Sequence, residues 1–97
     1  MEIRDFQDLI SRTYLEKDSR RGEWGTYAWL VEEVGELARA MRKGGRDALD
    51  EEFADVFAWL ASLANLRGIS LEEAVGKYAR GCPKCGETPC SCEERPR

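Results

Sequence analysis

Two short acidic motifs, Glu32-Glu33-Val34-Gly35-Glu36 and Glu51-Glu52-Phe53-Ala54-Asp55, hold the side chains of this sequence best suited to chemistry. On a helix, residues three apart lie about 60° apart around the axis, so Glu33 shares a face with Glu36 and Glu52 with Asp55. Each like-charged pair costs a few tenths of a kcal/mol on an isolated helix. One such motif alone describes an ordinary solvated face. Two of them acquire meaning through the glycine turn between them. If the chain reverses at Gly44, Glu36 and Glu52 each lie eight residues from the turn, and Glu33 and Asp55 each lie eleven from it. Trp29 and Trp59 each lie fifteen away. A single hairpin therefore puts two carboxylate layers and one tryptophan layer opposite each other. Four carboxylates that converge cannot all stay ionised without a cation. Hard, oxygen-preferring Mg²⁺ or Mn²⁺ fits that donor set. The chain has no histidine, which excludes imidazole ligands and imidazole acid–base chemistry.

Other groups accompany the acids. Trp29 and Trp59 are suited to packing against each other or against another copy, and also to stacking on a nucleobase. Lys17, Arg20 and Arg21 form a basic stretch leading into the second helix, at the tryptophan end of the hairpin. Arg80 is a further cation near the end of the helical region. All four cysteines fall in the last 16 residues, as Cys82-Pro83-Lys84-Cys85 and Cys90-Ser91-Cys92. Two close pairs separated by four residues suit Zn²⁺ held by four thiolates, with disulfides or free thiols as the alternative. No histidine is present to activate a thiolate, which argues against cysteine catalysis.

These groups must be positioned by helices. Ile3, Phe6, Ile10 and Tyr14 recur at helical spacing, and that helix is expected to end before the basic turn Ser19-Arg20-Arg21-Gly22. A second helix begins near Trp24, carries Tyr27, Val31, Val34, Ala38 and Met41 on one side, and stops at Gly44-Gly45. The acids lie at the edge of that stripe. A third helix, with Asp47 as a candidate N-cap, carries Leu49, Phe53, Val56, Leu60 and Leu63 and ends at Gly68. Ser70-Leu71-Glu72-Glu73 has the capping-box pattern and opens a short fourth helix that ends by Gly81. The expected fold is all-α: a four-helix domain over residues 1–81 and a cysteine-rich tail over 82–97.

The chain has 97 residues, 35% charged and 42% hydrophobic, with a net charge of −4. That composition indicates one globular domain. Its acidity argues against general nucleic-acid binding, which depends on neutralising phosphates. There is no apolar run long enough for a membrane span and no export-signal core, so a cytoplasmic protein is expected. So small a helical core is expected to associate as a homodimer or homotetramer.

The paired motifs, together with Trp29-Leu30-Val31 before the first and Leu37-Ala38 after it, resemble the MazG nucleotide pyrophosphohydrolases over about residues 3–81. The resemblance implies a metal-dependent enzyme that converts a nucleoside triphosphate and water to monophosphate and pyrophosphate. Damaged and otherwise non-standard nucleotides are among the substrates it leaves open. It implies that Glu33, Glu36, Glu52 and Asp55 hold Mg²⁺ or Mn²⁺ and that Glu32 adds a ligand or orients water. By the same resemblance Lys77 would meet a phosphate, and Arg80, Arg21, Trp29 and Trp59 are the other candidate substrate contacts. A competing reading is a helical, oligomeric binding protein whose zinc tail contacts nucleic acid or protein. A third is a phosphohydrolase that acts on a different pyrophosphate compound.

Overall fold

A computed structural model describes residues 1–94; Arg95 and the rest of the tail's charged end lie outside the described residues. Three long helices dominate: α1 (Ile3–Arg21), α2 (Glu23–Lys43) and α3 (Arg46–Arg67). A short α4 (Leu71–Ala74) and one 3₁₀ turn (Val75–Tyr78) follow. The described residues contain no strand.

Glycine sets the reversals. Gly22, at φ 89°, is the sole residue between α1 and α2, so the basic residues Arg20 and Arg21 form the last turn of α1 instead of a loop. At the α2–α3 reversal, a Cβ on Gly44 would lie 2.9 Å from both the Ala40 carbonyl oxygen and the Ala48 methyl. Only glycine lets the helices turn that closely. Gly45 is the N-cap of α3, and Asp47 lies inside its first turn. Ser70 caps α4 as expected, its hydroxyl accepting from the Glu73 N–H at 3.2 Å.

α2 packs chiefly on α3, and α1 lies across α3. Gln7 fastens the far end of α1. Its Nε2 donates to Asn65 Oδ1 at 3.0 Å and to the Ile69 carbonyl at 2.7 Å. Its Oε1 accepts from the Leu71 N–H at 2.8 Å. Glu72 pairs with Arg4 at the start of the same helix. Among the described residues the buried apolar side chains are few and mostly small: Ile10, Ala40, Ala61 and Ala64.

The face of α2 that meets α3 differs from the expected one. Thr26 and Ala40 are buried, and Leu30, Glu33 and Leu37 are half-buried, which traces one helical stripe through the acids. The apolar stripe Tyr27, Val31, Val34 and Met41 lies one residue away, about 100° around the helix, and faces outward. Val31 and Val34 remain about half exposed, at 51% and 49%. Phe53 on α3 is exposed as well, at 60%. The acids occupy the helix–helix seam, and the larger apolar groups of α2 face outward.

Candidate functional site

The hairpin register brings the first and second motifs together. Carboxylate oxygens of Glu33, Glu52 and Asp55 all lie within 4.8 Å of one another. All three residues are half-buried. The Glu33 carboxyl is held above its ordinary value of 4.5, first by partial loss of water, then by its hydrogen-bond contact with Glu52 and the charges of Asp55, Glu52 and Glu36. Glu52 Oε1 is buried with no hydrogen-bond partner. A buried, unpaired carboxylate oxygen is costly, and a cation is the natural way to satisfy it among acids. The donor set therefore fits Mg²⁺ or Mn²⁺ on three carboxylates, with vacant positions left for water and substrate oxygens.

Glu36 is half-buried, and its charge reaches Glu33, but it stands outside the three-way convergence. Glu32 is exposed. The tryptophans meet in the expected layer, their rings stacked at 5.7 Å and 10°.

A cavity of about 300 Å³ opens beside the acids. α3 lines it with Asp55, Ala58, Trp59 and Ser62, and α1 lines it with Tyr14, Lys17, Asp18 and Arg21. Asp55 therefore belongs to both the acidic cluster and the cavity. Arg21 is firmly held. Its Nη1 donates to Asp18 Oδ1 at 2.8 Å and to Thr26 Oγ1 at 3.3 Å. Its guanidinium lies 4.8 Å from the Trp59 ring centroid. A Cβ at Gly25 would lie 2.8 Å from Arg21 Cγ, so glycine there leaves this side chain its path. Arg20 points away and pairs with Glu16 at 3.5 Å.

Lys77 and Arg80 are exposed and do not line the cavity. Glu72, five residues before Lys77, is anchored on Arg4, which stands about 20 Å along α1 from Lys17.

Asp18, Ser62 and Thr26 were missed as site residues in the sequence, and all three are fully buried polar groups in or beside the cavity. A signal for two of them was present. Tyr14, Lys17, Asp18 and Arg21 are spaced three, four and seven apart, and Asp55, Ala58, Trp59 and Ser62 have the same spacing. Each set is one helical face, and only the packing of α1 on α3 makes the two faces opposite walls.

The tail forms a second cluster. The Sγ atoms of Cys82, Cys85, Cys90 and Cys92 all lie within 4.8 Å of one another. Cys82 and Cys92 sulfurs are 3.8 Å apart, and those of Cys85 and Cys90 are 3.9 Å apart. A tetrahedron with Zn–S bonds of about 2.3 Å has edges of about 3.8 Å, whereas a disulfide needs about 2.05 Å. The Ser91 N–H points at Cys85 Sγ and the Cys92 N–H at Cys90 Sγ, at 3.4 and 3.2 Å. Backbone N–H groups of Ser91 and Glu87 hold the Cys85 thiol down to about 5. The crowd of Cys90, Cys82 and Cys85 pushes Cys92 up to about 12. Four sulfurs gathered in this way fit a soft, tetrahedral cation.

Two comparisons with known proteins bear on the family of the chain. Residues 12–86 match the model of the MazG nucleotide pyrophosphohydrolase domain. The chain is also similar to the uncharacterized protein YvdC of Bacillus subtilis (strain 168), at 33% identity over 96 residues, covering 77% of this chain and 87% of the relative.

Proposed function

The chain belongs to the MazG nucleotide pyrophosphohydrolase family, and from that premise we propose that it hydrolyses nucleoside triphosphates to monophosphate and pyrophosphate with Mg²⁺ or Mn²⁺ held by Glu33, Glu52 and Asp55. The observation that carries this reading is the convergence of those carboxylates, with one Glu52 oxygen lacking a partner and with Asp55 also lining a cavity that holds Lys17 and Arg21. A bound divalent ion there supplies charge neutralisation for the triphosphate and acidifies water at neutral pH without histidine.

The chain's own residues do the rest. Asp55 joins the ion site to the cavity, so phosphates at the acids leave the nucleoside in the space beyond. Lys17 and Arg21 provide fixed positive charge where negative charge grows in phosphoryl transfer. Arg21 needs little reorganisation, because Asp18 and Thr26 already hold it. Trp59, with Trp29 behind it, gives the cavity a rigid apolar wall. Glu36 adds charge next to Glu33 and is the candidate fourth ligand, with Glu32 in a supporting role. A phosphate contact by Lys77 or Arg80 has to come from a neighbouring copy.

Such a copy belongs to the same reading. The outward apolar stripe of α2 and the exposed Phe53 support a homodimer or homotetramer, since contiguous apolar surface of this kind marks an interface. The reading divides the chain into a helical catalytic unit, 1–81, and a tail, 82–97, whose four cysteines bind one structural Zn²⁺. Reduced zinc thiolates and triphosphate chemistry both suit the cytoplasm. No helix among the described residues is long and apolar enough to cross a membrane.

The test is incubation of the protein with a panel of nucleoside triphosphates and Mg²⁺ or Mn²⁺. Monophosphate and pyrophosphate in equal amounts are expected. Release of orthophosphate alone, or no product with any nucleotide and either metal, refutes the assignment.

A further inference from the structure

Asp18 is a buried carboxylate with little to offer the stability of the fold. It is 1% exposed, in the wall of the cavity. Its Oδ1 accepts from Arg21 Nη1 at 2.8 Å, and its Oδ2 is buried without a partner. An ion pair taken out of water gains little or nothing over apolar side chains of similar size, and an unpaired charged oxygen makes the balance worse. Nor does Asp18 belong to the acids that suit a cation, which are Glu33, Glu52 and Asp55. Among the described residues its carboxylate makes one hydrogen bond, and that bond is to Arg21. The reason for keeping a charge in this position has to be sought in what it does to Arg21.

We infer that Asp18 is a positioning residue: its carboxylate locks the Arg21 guanidinium, so that the donors Arg21 has left meet a phosphate of the substrate. The inference rests on the nucleotide-hydrolase reading and adds a residue that acts through Arg21. Three helices converge on this one guanidinium. α1 supplies Asp18, about one turn before Arg21. α2 supplies the fully buried Thr26, whose Oγ1 accepts from the same Nη1 at 3.3 Å. α3 supplies Trp59, whose ring centroid lies 4.8 Å from the guanidinium, and Trp29 stacks on that ring in turn. Gly25 leaves the side chain its path, at the cost that glycine carries within a helix. Both hydrogens of Nη1 are thereby committed, one to Asp18 and one to Thr26. Nη2 and Nε have no protein acceptor among the described residues, and the Arg21 side chain lines the cavity at 27% exposure. Those two donors share one edge of a planar fork, the pattern that grips two oxygens of one phosphate. Donors fixed before charge develops favour the transition state most, because nothing reorganises as the charge grows. A guanidinium free to swing would follow substrate and transition state alike and lose that advantage.

The experiment is a double-mutant cycle on kcat, with KM measured alongside, using a triphosphate that the wild type turns over. Arg21→Ala is expected to lower kcat about 100-fold, as the loss of a fixed transition-state donor does. Asp18→Asn keeps the shape of the side chain and removes its charge; it is expected to lower kcat at least about tenfold, with KM within about threefold of the wild type. Because Asp18 acts through Arg21, the double variant should be no slower than Arg21→Ala alone. Should Arg21→Ala fail to fold with its partner carboxylate left unpaired, Arg21→Lys takes its place in the cycle with the same expectation. Losses that multiply overturn the inference. So does an Asp18→Asn variant with the wild-type kcat, whatever its Tm, since the role of Asp18 would then be structural only.

Nitrogen NMR of the arginine side chains separates this inference from the hydrolase reading, because it needs no turnover. In the wild type a locked Arg21, assigned by its loss in Arg21→Lys, should show separate Nη1 and Nη2 signals, and its Nε signal should move when pyrophosphate and Mg²⁺ are added. In Asp18→Asn the Nη signals should merge and the response to pyrophosphate should weaken. That pattern without turnover of any triphosphate would refute the hydrolase and leave Asp18 holding Arg21 for a phosphate. Turnover with multiplying losses and identical spectra in wild type and variant would do the reverse. Neither turnover nor a response to pyrophosphate would overturn both.

Discussion

Replacing Glu52 by Gln should make the metal-free protein more stable while stopping its chemistry. Three carboxylate oxygens lie within 4.8 Å of one another. Two full charges at that limit repel by about 0.9 kcal/mol at the dielectric of water and by about 3.5 kcal/mol at an effective value of 20. The groups are half-buried and open to solvent, so the lower end applies, reduced further by salt. Glu52→Gln deletes two of the three repulsive pairs. It also puts an amide donor where a buried oxygen now has no partner. A net gain of roughly 1–2 kcal/mol follows, or about 5–10 °C in Tm for a domain of this size. In the wild type, Mg²⁺ at ten times its Kd should add about 1.4 kcal/mol, and the variant should lose that increment with the site. Pyrophosphate release should fall at least 100-fold, since disturbing even the neighbours of metal ligands costs about 10–100-fold. The assay is a thermal melt in EDTA and in Mg²⁺, alongside pyrophosphate detection. A variant that melts lower than wild type in EDTA, still gains Tm from Mg²⁺ and turns over normally would show that these acids neither repel nor bind metal.

Three further outcomes are expected. Glu33 binds its proton more tightly in the folded chain than the ordinary 4.5. In EDTA its contribution to stability is therefore present below the unfolded value and lost as pH rises through the folded one, and Mg²⁺ should restore stability at the higher pH. Proton and metal compete for Glu33, so the Mg²⁺ concentration needed for half-maximal activity should climb as the solution is made more acidic; a pH-independent requirement contradicts this. Elemental analysis should find one zinc per chain, lost in Cys85→Ser, with pyrophosphohydrolase activity reduced no more than a few-fold; zinc-free wild type with two disulfides contradicts it. Val34→Asp, on the outward stripe of α2, should return the mass measured by light scattering to the 11.0 kDa of a single chain, and a mass equal to that of the wild type contradicts the interface.

Sequence spacing alone determined a large part of this protein. Glycines at 22, 44 and 68 mark where three amphipathic helices end. The close reversal at Gly44 fixed the register that stacks Trp29 on Trp59 and gathers Glu33 with Glu52 and Asp55. Local geometry can do this because a two-glycine turn between straight helices leaves almost no freedom in which layers face each other. The cysteine spacing likewise foretold one sulfur cluster, although the 3.8 and 3.9 Å separations were needed to favour a cation over disulfides.

Rotation about the helix axis was not legible. Hydrophobicity pointed Tyr27, Val31 and Val34 toward α3, yet α2 presents Thr26, Glu33 and Ala40 there, one residue around the helix. A lone chain's pattern sums every surface it will bury, so an apolar stripe cannot say whether α3 or another molecule covers it. Asp18 is the clearest case of tertiary decision. By itself it is one more acid among charged neighbours near the end of α1. Only the packing of α1 on α3 takes it out of water, with one oxygen bound to Arg21 and the other left without a partner, in the wall of a cavity that neither helix forms alone.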